Sequence, residues 1–113
     1  MLYTNLKHIE SANEYARVIT ISENVMVICG RMGPMSIPVY RIAEELEVGY
    51  THVKFYDMEF DNPESNIIRN LPELSGNMSI PFTLYYRNGK VVKATSGIQT
   101  KDQIVAILNQ EFV

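Results

Sequence analysis

The sequence predicts an α/β fold: a three-layer α/β/α sandwich around a central mixed sheet, in the order β-α-β-α-β-α-β-β-α. Two observations carry this. Apolar, β-rich runs alternate with amphipathic helical stretches through the front of the chain, which calls for right-handed parallel crossovers. Asn88-Gly89 then sits between two β-rich runs. Both residues accept positive φ, so the pair predicts a hairpin and adds antiparallel strands.

Each element has a local reason. Leu6 to Ile9 reads as a short first strand. Ser11-Ala12-Asn13-Glu14 has the Ser-x-x-Glu spacing of a capping box, and Ala12, Tyr15, Ala16 and Ile19 follow on one helix face. Val25 to Ile28 is apolar at every position, as a central strand covered on both sides should be. Next comes Cys29-Gly30-Arg31-Met32-Gly33-Pro34-Met35-Ser36, a Gly-rich turn. The helix after it is expected to start with Pro34 near its first position, where a missing N–H costs nothing. Val39, Ile42, Ala43 and Leu46 give that helix its apolar stripe, Pro38 is expected to kink it, and Gly49 ends it.

His52 to Met58 is the third strand, closed by a polar loop from Asp57 to Pro63. Asn62 before Pro63 reads as a cap and first helical residue, and Ile67, Ile68 and Leu71 form the helix's apolar stripe before Pro72 and Gly76 end it. Pro81 opens the strand Phe82 to Arg87, and the hairpin returns along Val91 to Thr95. On the first of these, Tyr85 and Tyr86 point to opposite faces, so one is expected in the core and one on the surface. The last helix starts near Thr100 with Gln103 at the box position, and buries Ile104, Ile107, Leu108 and Phe112.

Bulk composition narrows the function classes. A single domain over 1–113 is expected, with 46% hydrophobic and 20% charged residues, an ordinary globular make-up. The net charge of −3 and the scattered arginines argue against nucleic acid or an anionic membrane as partner. No run approaches the length of a membrane span, and Lys7, Glu10, Glu14 and Arg17 interrupt any signal-peptide core. Cys29 is the only cysteine, so neither an intramolecular disulfide nor a cysteine-based zinc site can be built. A cytoplasmic, monomeric protein without cofactor is expected.

The order of elements and several motifs resemble thioredoxin over nearly the whole chain. The matching features are the apolar strand into Met32-Gly33-Pro34-Met35, the Asp57 to Pro63 loop, and Ile80-Pro81 before an aromatic strand. The Asn88-Gly89 hairpin and Gly97 before the last helix match as well. The resemblance implies a cis peptide bond at Pro81, facing the Gly-Pro turn across a substrate groove. It also implies redox homeostasis as the biological setting.

At the positions that carry the family's chemistry the chain departs. Methionines Met32 and Met35 stand where thioredoxins have the two cysteines of their Cys-Gly-Pro-Cys motif. A thioether has no proton to lose and closes no disulfide, so two-thiol exchange is impossible here. Met26 occupies the place of the family's buried acid, and Arg31 that of the tryptophan before the first cysteine.

Three functions from different classes follow. The first is a non-catalytic module that binds an extended peptide segment of a protein partner through Arg31, Met32, Gly33, Pro34, Met35, Ile80 and Pro81. In that reading the segment pairs with the backbone before the proline. The second is an atypical oxidoreductase with Cys29 as a nucleophile activated by the helix N-terminus and Ser36 as its partner position. Against it stands the plain alternative that Cys29 is a small buried hydrophobe. The third is a soft Cu(I) site of Met32, Met35 and Met78 with Cys29. The carboxylates Asp57, Glu59, Asp61 and Glu64 do not have the spacing of a calcium loop, and a solvated loop and cap accounts for them. His8 and His52 fall on other elements, with a structural or solvated role.

Overall fold

The computed structural model describes residues 2–76 and 79–112. Five strands form one sheet in the order β1-β3-β2-β4-β5. β1 (Lys7–Ile9), β3 (Lys54–Glu59) and β2 (Asn24–Gly30) run parallel. β4 (Phe82–Arg87) is antiparallel to β2, and β5 (Lys90–Ser96) is antiparallel to β4. The mixed sheet expected from alternating front and hairpin rear is thus the one observed.

Helices cover both faces. Met26, Ile28, Phe55 and Tyr85 pack with α2 (Ile37–Gly49) and α4 (Lys101–Glu111) through Val39, Ala43, Ile104 and Leu108. Val25, Val27, Cys29, Leu84 and Tyr86 pack on the other side with Tyr15 and Val18 of α1 (Ala12–Ile21) and Ile68 of α3 (Asn66–Arg69). β2 is buried along its whole length, as its unbroken apolar run requires.

Caps and turns follow the sequence closely. The Ser11 hydroxyl accepts the Glu14 N–H at the start of α1. Thr100 and Gln103 form a complete capping box on α4. Asn88 and Gly89 take φ of 52° and 82°, which is what lets two residues connect β4 to β5.

Four expectations are corrected. α2 begins at Ile37 with Ser36 at its N-cap, not at Pro34. Pro38 is the reason: without an N–H it cannot continue the turn before it, but it fits the first turn of a helix, where that N–H would be orphaned. It therefore sets the start of α2 and does not kink its interior. The third helix is a 3₁₀ turn at Pro63–Ser65, a single α-turn and a second 3₁₀ turn at Pro72–Leu74. Tyr85 and Tyr86 are both buried, on opposite faces, because β4 is covered on both sides. The Tyr86 hydroxyl is hydrogen-bonded to that of Tyr15. Among the described residues no helix is long and apolar enough to cross a membrane.

Candidate functional site

The Gly-Pro turn leaves the C-terminal end of β2 and is braced from below. Ser36 is buried, and its hydroxyl accepts the Arg31 N–H at 3.4 Å. The Gly33 carbonyl accepts the N–H groups of Ser36 at 3.1 Å and Ile37 at 2.9 Å, which closes the turn onto the helix. Gly30 is where the parts meet. A β-carbon placed there would lie 2.8 Å from both the Ser36 and Tyr40 hydroxyls and 3.0 Å from Pro81 Cβ. Only glycine lets the turn, α2 and Pro81 approach so closely.

Across from the turn, the Ile80–Pro81 peptide bond is cis. Gly97 ties the segment to the start of the last helix's approach, its N–H donating to the carbonyls of Ser79 and Pro81, each at 3.0 Å. Pro81 itself is buried and Ile80 half-buried. Neither backbone polar group of Ile80 makes a hydrogen bond among the described residues. Met35 and Ile98, on the turn and just after Gly97, are 47% and 48% exposed. The structure thus brings Ser36, Tyr40 and Pro81 together around Gly30.

Arg31 points outward. Its guanidinium forms two hydrogen bonds to the Asp61 carboxylate, at 2.8 and 2.9 Å, and lies over the Phe60 ring at 5.1 Å. Hydrogen bonding to Arg31, then its charge, holds the Asp61 carboxyl below the usual carboxylate range. Met32 is half-buried against the α2 and α4 core, and its sulfur accepts the Tyr3 N–H at 3.3 Å.

Cys29 and Ser36 do not form a couple. Cys29 is 0% exposed and faces α1 and α3, whereas Ser36 lies on the α2 side of β2. Adjacent residues of a strand point to opposite faces, so the two are separated by the sheet. Burial pushes the Cys29 thiol up to about 12, more than Ser65 and Arg69 pull it down. This is a packed core thiol with no access for a disulfide. Its burial away from the turn also removes it from the soft-metal set, and Met78 lies outside the described residues.

Among the described residues no three His, Cys, Asp or Glu side chains are grouped to hold an ion. Asp61 is engaged by Arg31, and Glu64 accepts the Ala12 N–H at 3.0 Å.

The sequence reading missed one polar pair. Asp57 is fully buried, with its carboxylate accepting the Thr4 hydroxyl and lying 2.5 Å from His8 Nδ1. Desolvation raises its pKa, and the donors Thr4 and His8 oppose the rise. The pair borders a cavity of about 410 Å³ at the ends of β1 and β3, also lined by Glu10, Glu59 and Asn62. Two polar residues sharing a face on strands far apart in sequence leave no local signal. Only the β1–β3 register, His8 opposite Asp57, brings them together.

No protein-family model matches the sequence, and no curated protein matches it. Solved structures do. The chain is similar to Plasmodium falciparum thioredoxin at 25% identity and a TM-score of 0.71, covering 96% of this chain and 100% of that one. Chlamydomonas reinhardtii thioredoxin f2 matches at 17% identity and a TM-score of 0.79, over 96% and 97%. Malassezia sympodialis thioredoxin matches at 16% identity and 0.77, over 97% and 93%. The chain has a thioredoxin-like fold. Within that class it has thioethers, Met32 and Met35, on either side of the Gly-Pro pair.

Proposed function

We propose that this chain is a non-catalytic, peptide-binding thioredoxin-like protein of the thiol–disulfide redox system, which takes up an extended segment of a partner protein at Ile80. The carrying observation is that the backbone of Ile80, next to the cis Pro81, makes no hydrogen bond among the described residues, while Met35 of the Gly-Pro turn and Ile98, next to Gly97, expose apolar side chains. A donor and an acceptor left open at one residue suit main-chain pairing with an added strand, and exposed apolar groups suit its side chains. Exposed Pro34 and half-buried Gly33 present the turn as the facing wall, with Arg31 and Met32 at its start. Catalysis by a dithiol is absent because the chain has one cysteine, and that one is buried.

The test is selection of peptides from a random library, followed by affinity measurement on wild type and Ile80→Asp. Selected peptides should lose at least about tenfold in affinity on Ile80→Asp, a charge placed at an apolar docking position costing more than about 1.4 kcal/mol. Their binding should shift the amide resonances of Ile80 and Gly97. Equal affinity for both proteins, with the variant's fold intact by circular dichroism, would overturn the reading.

A further inference from the structure

The described methionines fall into three environments. Met26 and Met58 are 0% exposed in the two cores. Met32 is half-buried, and one sulfur lone pair is occupied by the Tyr3 N–H. Met35 alone among them stands 47% exposed, with no hydrogen bond to its sulfur among the described residues. It does so on the turn that faces Pro81, where Ser36 and Pro81 close on Gly30. A thioether reacts through its sulfur lone pair, so access and an unengaged lone pair decide which methionine is oxidised first.

We propose that Met35 is a modification site, oxidised to the sulfoxide by hydroperoxides, and that its oxidation switches off the docking face beside it. The step is an oxygen-atom transfer. The Met35 sulfur attacks the terminal oxygen of the hydroperoxide, the O–O bond breaks, and the departing oxygen takes a proton to leave as water or an alcohol. Sulfur is oxidised by two electrons and the peroxide reduced by two. The product is a polar side chain with a strong acceptor oxygen in place of a flexible apolar one. A partner that buries Met35 would then have to desolvate that oxygen without a donor to meet it.

The modification stands on geometry alone, whereas the switch rests on the docking reading above. The full chain is treated with hydrogen peroxide under native conditions, and oxidation at each methionine is followed by peptide mapping in a mass spectrometer. Met35 should react at least about tenfold faster than Met26 and Met58. Comparable rates at the three would overturn the site.

The affinity of one library-selected peptide is then compared before and after oxidation. Wild type should lose about tenfold or more, and regain it after treatment with a methionine sulfoxide reductase. Met35→Leu should show no loss relative to its own untreated sample. Unchanged wild-type affinity after Met35 oxidation would overturn the switch, and an equal loss in Met35→Leu would move it to another residue and overturn the assignment. If no library peptide binds untreated protein, the docking reading fails and the switch with it. The relative oxidation rates still decide the site.

Discussion

Cys29 shows how a single step along a strand decides chemistry. One residue further on, Gly30 meets the turn, Tyr40 and Pro81, while Cys29 faces the opposite core between α1 and α3. With its thiol raised to about 12 by burial, almost no thiolate exists near neutral pH. Iodoacetamide should therefore modify folded protein at least about a hundredfold more slowly than unfolded protein at pH 8. Rapid modification of the native chain would contradict the placement. Met35 is the converse case. The sequence grouped it with Met32 on one turn; that Met35 is the exposed one and Met32 the half-buried one was not legible there, because a methionine fills a core gap as readily as it lies at a surface.

At the scale of elements, the local signals with a stereochemical requirement were the legible ones. Asn88-Gly89 demanded positive φ, and Thr100 with Gln103 demanded a cap, and both are present as read. Thr100→Ala removes the hydroxyl that accepts the Gln103 N–H and should cost about 1 kcal/mol, measured by urea unfolding. A cost near zero would mean that α4 is held by packing alone. Pro38 was legible as a breaker but not in its effect. Periodicity placed it inside a helix running from Pro34, yet a proline constrains only where a helix can begin, and the segment before it closed as a separate turn. The third helix failed as a regular element for a similar reason: Pro63 and Pro72 leave room for one α-turn between two 3₁₀ turns.

At the scale of the whole molecule, the N-terminal segment is tied across the sheet to the site. Thr4 donates to Asp57, the Asn5 N–H to Glu44 of α2, and the Tyr3 N–H to Met32 of the turn. Asp57 is the ionisable anchor of this arrangement. Its pKa is raised above the ordinary 3.8, chiefly by desolvation, so the folded state favours the protonated carboxyl. The contribution to stability is full below 3.8 and is lost as pH rises through the elevated native value. Asp57→Asn carries no such titration. The unfolding free energy of wild type minus that of the variant should fall as pH rises from about 3 to 7 in urea titrations. A difference that rises with pH would show the carboxylate stabilised by Thr4 and His8 beyond the cost of burial.

The sequence by itself determined the α/β order, the central strand, the caps and the hairpin, and it excluded dithiol exchange. These depend on short-range sterics, on periodicity and on which atoms the side chains contain. The tertiary structure alone decided the meeting of His8 with Asp57, the close approach of Ser36, Tyr40 and Pro81 at Gly30, and that Met35 is exposed where Met32 is half-buried. Those depend on strand register and on close approach of segments distant in the chain, and neither leaves a mark on neighbouring residues.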